Sequence, residues 1–485
     1  MKYGWIVLLL ASLTANGTRA ETLQDALIAA YKTNPDLQAQ RARLRVTDET
    51  YVQTLSQFGP TVSYQIQSTY DRDHLSKSAR NQARASTPNL PDYSEQNSYS
   101  GQLVISQPLY TGGRLSADLK AADAQVRAGR EALRTTEANV LYSTILAYAD
   151  LLRDQEDADI RKLNLDMLQH QVDEAQARQK AGEVTRTDVA QAQAQLASEE
   201  ALYQAALGQV DIDATNYAAT VGYQPGRLAP LPELVGTPTS LEKVLAAGER
   251  DNPDLQQALF VEEESHAKIY SARSALRPSA SLQIQDGEQG PLAPFDNRDL
   301  NRGLGVTASV VIPLYSNGLA RSQTRQAIDQ DAADAMTVDE VRRTVIKNLS
   351  TLWVQRRVAL AAVDTQARQV EAAKIAFEGM RKEYTAGERS TLDVLVAEET
   401  LRDAELALVS ARHDAYMAGA ALLQNMGWLE IRNLVVTDDL YPATAHLHAI
   451  MPKIRVPWQT PLQKLDSTSV PKIQTMAAPS VITKP

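Results

Sequence analysis

The chain contains the same series of sequence segments twice, and this internal duplication constrains its fold more than any other feature. Lys180–Leu196 reads KAGEVTRTDVAQAQAQL and Thr385–Leu401 reads TAGERSTLDVLVAEETL, with seven of seventeen positions identical at an offset of 205. Asn-Pro-Asp-Leu-Gln occurs at Asn34 and again at Asn252, at an offset of 218. The offset changes once, between Gln67 and Pro108, so two homologous halves differ by a longer loop in the first.

Each half is dominated by one long helical segment without proline. Apolar residues at three- and four-residue spacing continue from about Arg114 to Lys180, which at 1.5 Å per residue spans roughly 100 Å. The returning segment, Thr185–Val221, covers only about half of that length, and a helix of about 23 residues from the Asn-Pro-Asp motif supplies the remainder. The pattern predicts helical hairpins reversed at Gly182 and Gly387, in a bundle where each long helix packs beside two shorter ones.

Two strands per half follow from alternating apolar and polar residues. In TVSYQIQS, for example, Val62, Tyr64 and Ile66 share one face of the predicted strand. Polar loops are predicted at Asp71–Asn97 and Asp286–Arg302. The predicted strands are Thr61–Ser68, Ser98–Leu109, Ser279–Gln285 and Gly303–Leu314.

The ends of the chain differ from its repeated body. Lys2, the apolar run Trp5–Leu13 and the small-residue site ending at Ala20 indicate a secretory signal peptide. The predicted organisation is a signal peptide at 1–20, a first repeat at 21–222, a proline-rich linker at 223–239, a second repeat at 240–427 and a C-terminal segment at 428–485. This last segment is predicted to be mostly disordered from about residue 443, because proline recurs and periodicity vanishes.

Composition excludes several functions. The net charge of −10 disfavours nucleic-acid binding, and the absence of cysteine excludes disulfides and thiolate metal sites. No phosphate loop, metalloprotease motif or nucleophile elbow is present, so we expect no enzyme activity and no cofactor. The six histidines are scattered, and His446-x-His448 in the C-terminal segment is not interpreted as a metal site.

The strands suit a membrane better than a small soluble sheet. Alternating strands of about nine to eleven residues suit a tilted crossing of a bilayer, and Tyr99, Tyr110 and Tyr315 could lie at the interface. An open sheet edge cannot be satisfied in lipid, and eight strands are the smallest usual barrel. Four strands per chain therefore predict that several copies share one barrel.

The duplicated Asn-Pro-Asp-Leu helix start, the Pro-Leu-Tyr-x-x-Gly turns at Pro108 and Pro313 and the Ala-Gly-x-x-x-x-x-Asp-Val tips resemble the TolC-like outer membrane efflux proteins. The resemblance covers roughly residues 21–435. It implies a mixed α/β membrane protein: a homotrimer in which four strands per chain form a shared twelve-stranded β-barrel and long antiparallel helical hairpins form a periplasmic tunnel. It also implies a passive exit duct for tripartite efflux or type I secretion, located in outer membrane lipid and extending into the periplasm. A periplasmic adaptor (membrane fusion protein) and an inner membrane transporter would be its partners.

The resemblance also assigns roles at the hairpin tips. Asp393 would form an acidic ring at the pore constriction, although Val396 stands where the family has a second aspartate. Glu398 or Glu399 would have to compensate for that change. The alternative interpretation of Asp188 and Asp393 is a carboxylate in the first turn of a helix, which the helix dipole stabilises.

A gate latch is the second implied feature. Tyr384 and Arg389 on the inner hairpin would meet Asp188 and Thr187 on the outer one; the alternative is that Arg389 is simply solvated. The adaptor-docking tips would be Ala181, Gly182, Glu183, Ala386, Gly387 and Glu388.

A competing hypothesis is a periplasmic coiled-coil adaptor or interaction protein without a channel, although the predicted strands argue against it. The sequence does not specify the exported substrate, the pump or the adaptor.

Overall fold

The computed structural model describes residues 20–86, 93–234, 236–291, 300–435, 440–451 and 456–470. The predicted signal peptide therefore lies outside the described residues, apart from Ala20. The chain divides into two compact units. Unit one contains the described residues of Met1–Ala42, Glu131–Gln256 and Glu340–Tyr441. Unit two contains those of Arg43–Arg130, Gln257–Asp339 and Pro442–Pro485.

The helices repeat with nearly equal lengths in the two halves. The first half has α1 (Leu23–Thr33), α2 (Pro35–Ser56), α3 (Lys77–Ser86), α4 (Arg114–Lys180) and α5 (Arg186–Val221). The second half has α6 (Leu241–Asp251), α7 (Pro253–Ser274), α8 (Leu319–Thr385) and α9 (Thr391–Asn425). Helices α4 and α8 each have 67 residues, which confirms the prediction from uninterrupted periodicity. No helix in the described part of the chain is long and apolar enough to cross a membrane.

Local sequence sets the starts of the shorter helices. Asn34 caps α2, because its side-chain oxygen accepts hydrogen bonds from the backbone N–H groups of Asp36 and Leu37 at 3.0 and 3.3 Å. Asn252 caps α7 in the same way through Leu255 at 3.0 Å. Pro35 and Pro253 occupy the first helical position, where a missing N–H has no cost.

Four antiparallel strands form one sheet in unit two, in the order β1-β2-β3-β4. The strands are β1 (Thr61–His74), β2 (Tyr93–Tyr110), β3 (Ser279–Gly290) and β4 (Asn301–Val311). The sheet places β1 and β4 at its two edges.

The first predicted loop, Asp71–Asn97, is partly wrong, because β1 and β2 continue into it and α3 lies between them. The polar residues there pair across the strands: Tyr70 donates a hydrogen bond to Glu95 at 2.8 Å, and Arg72 lies 3.5 Å from the same carboxylate. Such cross-strand pairs stabilise a sheet without apolar alternation. The second predicted loop is likewise shorter, since β3 reaches Gly290 and β4 begins at Asn301. Residues 292–299 of that loop lie outside the described part.

The expected disorder from about residue 443 is wrong for two segments, α11 (Ala445–Ile450) and α12 (Gln459–Ser467), which follow the short α10 (Ile431–Leu434). Leu447 packs with Val52 and Val126 in a hydrophobic cluster of unit two. Asp466 is 2% exposed, and its carboxylate binds the turn that begins α4. These tertiary contacts order a sequence that has no periodicity of its own. Residues 471–485 lie outside the described part.

Candidate functional site

The two helical hairpins of unit one reverse direction with the same backbone geometry. Gly182 and Gly387 both have φ of 81°, and open space surrounds each, so the left-handed conformation rather than crowding requires glycine. The Glu183 N–H donates to the carbonyl of Arg178 at 2.9 Å, and the Glu388 N–H donates to that of Glu383 at 2.9 Å. This is the 6→1 bond of a Schellman cap. The sequence repeat is therefore a structural repeat.

The returning helices α5 and α9 each begin with a capping box. Thr185 Oγ1 and the Asp188 carboxylate exchange hydrogen bonds with each other's backbone N–H groups, at 3.3 and 2.8 Å. Ser390 and Asp393 do the same at 3.3 and 3.0 Å. Both aspartates thus lie in the first turn of a helix, as the first-turn interpretation predicts, and each also completes a capping box.

Capping leaves part of the Asp393 carboxylate free. Its Oδ2 atom accepts from Ser390, while no hydrogen bond to Oδ1 is found in the described part of the chain. The hydrogen bond from the Ser390 backbone lowers the pKa of Asp393, so this carboxylate stays ionised at neutral pH. Val396, one turn further along α9, is 53% exposed. A carboxylate and an isopropyl group therefore lie one turn apart at the start of α9.

Three of the four latch residues have other contacts in this structure, and the fourth, Thr187, is exposed. Arg389 Nε lies 2.8 Å from Glu383 Oε2 on its own hairpin. Tyr384 lies under the guanidinium of Arg178 on the other hairpin, with 4.9 Å from Arg178 Cζ to the ring centre. Asp188 is bound to Thr185. The latch therefore stays a prediction, and forming it requires Arg389 and Tyr384 to change partners.

The tip residues proposed to bind an adaptor are accessible in the isolated chain. All six are exposed: Ala181, Gly182, Glu183, Ala386, Gly387 and Glu388. Arg178 pairs with Glu183 at 3.1 Å on the outer tip, and Glu383, at the position equivalent to Arg178, pairs with Arg389 on the inner tip. The two tips thus have the same backbone and different charge patterns.

Glu398 cannot replace the missing aspartate in this arrangement, because it is only 2% exposed. It faces α4, where Gln171 donates a hydrogen bond to its Oε2, and its Oε1 has no hydrogen-bond partner among the residues that the structure describes. Burial raises the pKa of Glu398 to about 7. Glu399 is about half exposed and remains available.

Glu398 belongs to a buried charged cluster that the sequence interpretation missed. Arg402 Nη1 on α9 lies 2.6 Å from Glu199 Oε2 on α5, and Arg161 Nη1 on α4 lies 3.7 Å from Glu199 Oε1. Glu199 is 1% exposed, so this ion pair is removed from water. The sequence contains a pattern that could have indicated this cluster. Val394, Glu398 and Arg402 are spaced four residues apart, which places two charged residues on the apolar face of the predicted helix.

Comparison with known proteins gives the family. A model of the family described as "Outer membrane efflux protein" matches residues 26–222 and 248–428, and the chain belongs to this family. The chain is 32% identical over 441 residues to the outer membrane efflux protein BepC of Brucella suis biovar 1 (strain 1330), which covers 91% of this chain and 93% of BepC. It is 22% identical over 438 residues to the outer membrane protein TolC of Escherichia coli (strain K12), covering 87% of this chain and 85% of TolC.

The same architecture occurs in a solved structure. The CmeC outer membrane channel of Campylobacter jejuni matches with a TM-score of 0.72 and 16% identity, over 89% of each chain, which shows the shared fold. The predicted fold class and the resemblance are thus confirmed. The chain is an outer membrane protein that extends into the periplasm, and its family consists of channel proteins rather than enzymes.

Proposed function

We propose that this protein is a trimeric outer membrane duct through which a periplasmic adaptor and an inner membrane transporter export substrates. The duct is passive, and its periplasmic end is gated by the tips of the α4–α5 and α8–α9 hairpins. The protein called BepC, with 32% identity, is an efflux protein, which favours efflux over protein secretion as the process served.

The open four-stranded sheet carries this proposal. Its edge strands expose large apolar side chains: Val62, Tyr64 and Ile66 on β1 are 58–63% exposed, and Val306 and Val310 on β4 are 63–68% exposed. In lipid these side chains are stable, but the unpaired backbone groups of β1 and β4 are not. Joining β4 of one chain to β1 of the next satisfies both edges, and three chains supply twelve strands. A periplasmic coiled-coil adaptor without a channel does not require a sheet with exposed apolar side chains and open edges.

The constriction is proposed at the start of α9. Three copies of Asp393 and Val396 around the tunnel axis would form an acidic ring beside an apolar ring. The ionised carboxylates would attract cations, and the apolar ring would disfavour a continuous water column when the pore is narrow. Because Val396 stands where the family has a second aspartate, only one carboxylate per chain, that of Asp393, would attract cations.

The latch is proposed to form when the chains assemble. Arg389 would exchange Glu383 for Asp188 and Thr187, and Tyr384 would leave Arg178 for Asp188. These exposed contacts are individually weak, so the exchange is easy and a docking partner can reverse it. The identical tip backbones position both sets of side chains without refolding.

Single-channel recording in planar bilayers tests the gate. We expect the double variant Arg389→Ser with Tyr384→Phe to conduct several-fold more than the wild type, because the closed end loses its links. The matched control is Arg368→Ser, which removes an exposed arginine on α8 that pairs with Asp364, four residues earlier, at 2.9 Å. Equal conductance of the double variant and the wild type would eliminate the latch.

A further inference from the structure

Two neighbouring helices of unit two bring an imidazole and two carboxylates together. Glu262 and His266 lie four residues apart on one face of α7, and Asp331 lies on α8. One ligand-type atom from each, a carboxylate oxygen or a ring nitrogen, lies within 4.8 Å of the other two. Imidazole nitrogen and carboxylate oxygen are the ligands that zinc takes when cysteine is absent.

The spacing of this cluster suits a shared ion better than a hydrogen bond. His266 Nδ1 and Asp331 Oδ2 are 3.4 Å apart, which is longer than the usual range of an N–H···O bond. Two ligands at about 2.1 Å from a tetrahedral metal are separated by about 3.4 Å. The edge of a tetrahedral site is thus already present between α7 and α8.

No lysine or arginine of the described residues forms an ion pair with Glu262 or Asp331, and the basic partner of Asp331 is His266 at 3.4 Å. The neighbouring bases are already paired, Lys268 with Glu264 at 2.6 Å and Arg127 with Glu263 at 2.7 Å. The Asp331 Oδ1 atom is buried and has no hydrogen-bond partner in the described part of the chain. A bound cation would relieve each of these unfavourable features.

The first repeat has a different set of residues at the equivalent positions. At the offsets of 218 and 205, Glu262 corresponds to Leu44, His266 to the buried Asp48, and Asp331 to Val126. Leu44 and Val126 are each 1% exposed and pack apolar surface between α2 and α4. The second repeat has carboxylates in place of both apolar residues. Glu262 and Asp331 therefore contribute no apolar packing between α7 and α8 at these two positions.

We propose that Glu262, His266 and Asp331 bind one Zn²⁺ ion per chain, with water completing the coordination, and that this ion clamps α7 to α8. His266 is held for this role by Tyr270, whose ring meets the imidazole edge-on with 5.6 Å between ring centres. The side chains of His266 and Asp331 are 37% and 21% exposed, so an ion can enter. Imidazole ligation selects zinc and neighbouring transition metals over Mg²⁺ and Ca²⁺.

Isothermal titration of Zn²⁺ into the detergent-purified, chelator-treated full chain tests the site. We expect one Zn²⁺ per chain for the wild type, no competition from Mg²⁺, and at least about tenfold weaker binding for His266→Ala. The isosteric variants Glu262→Gln and Asp331→Asn keep the side-chain volume and should weaken binding similarly. Zn²⁺ should also raise the midpoint of thermal unfolding of the wild type and not that of His266→Ala.

The control is His170→Ala, which removes an exposed histidine of α4 and should leave Zn²⁺ binding unchanged. Three results would overturn the proposal: wild-type affinity in His266→Ala, an equal loss in His170→Ala, or no Zn²⁺ binding by the folded wild type. The second of these would identify adventitious surface binding only. None of the three bears on whether the protein forms a channel.

Discussion

Replacing Asp466 with asparagine is expected to destabilise unit two by about 3 kcal/mol, because a buried carboxylate there serves several donors at once. The carboxylate accepts from the N–H and hydroxyl of Thr111 at 2.7 and 2.9 Å and from those of Ser116 at 3.0 and 2.9 Å. The N–H of Gly113 donates to it at 3.2 Å. Asp466 thus caps α4, which begins at Arg114, from more than 300 residues away in sequence. An asparagine NH₂ group would face these donors without a partner.

The hydrogen bonds to Asp466 also make the stability of unit two depend on pH. Burial alone would raise the pKa of Asp466, but the hydrogen bonds from Thr111 and Ser116 outweigh it and hold the pKa below the usual 3.8. A carboxyl whose folded pKa is lowered stabilises the fold above its unfolded pKa. That stability is lost as the pH falls through the lower folded value. The contribution of Asp466 is therefore fully present at neutral pH and disappears in strong acid.

Thermal unfolding in detergent, followed by tryptophan fluorescence, measures the effect. Trp458, beside α12, donates a hydrogen bond to Gln107 at 3.3 Å and so reports on this segment. Trypsin should also cut Asp466→Asn faster than the wild type at Lys464. The control is Asp329→Asn, which changes an exposed carboxylate of the same unit and should unfold like the wild type. Wild-type unfolding and proteolysis of Asp466→Asn would show that the contact contributes nothing.

Replacing Glu398 with glutamine is expected to stabilise unit one at alkaline pH. Burial raises the pKa of Glu398 from 4.5 to about 7, so the folded state holds a proton that the unfolded state releases. The charged form is therefore disfavoured in the fold above pH 7, and this cost disappears as the pH falls below 4.5. A shift of this size corresponds to about 3 kcal/mol between the two limits. Glutamine has the shape of the protonated acid and avoids the cost at every pH.

The measurement is the midpoint of thermal unfolding as a function of pH. The wild type should lose stability relative to Glu398→Gln as the pH rises through 7, and the two should converge in acid. Glu399→Gln changes the neighbouring residue, which is about half exposed, and should follow the wild type. Parallel profiles for the wild type and Glu398→Gln would contradict the assigned pKa and the burial that causes it.

The sequence predicted the helix lengths, helix starts and hairpin tips, because interactions between residues close in sequence determine them. The long helices follow from segments without proline, and the starts of α2 and α7 follow from Asn34 and Asn252. The hairpin tips follow from Gly182 and Gly387, and Asp188 and Asp393 indicate the first turns of the returning helices. Each of these signals lies within a few residues of the structure it specifies.

Features that depend on tertiary contacts could not be predicted in this way. The order of α12 comes from Asp466, whose donors lie more than 300 residues earlier, and nothing near Asp466 indicates it. The partner of Arg389 was not predictable either, because exposed ion pairs differ little in free energy and several carboxylates are within reach. The extended β1 strand depends on pairs such as Arg72 with Glu95, whose register is fixed only once the sheet forms.

The number of chains in the detergent-extracted particle tests the central claim most directly. Light scattering coupled to size-exclusion chromatography gives this number independently of particle shape. Three chains per particle are predicted from the family resemblance, and each chain supplies four strands whose edges β1 and β4 are closed by its neighbours. A single chain that stays in solution without detergent would contradict the shared barrel, and with it the proposed duct.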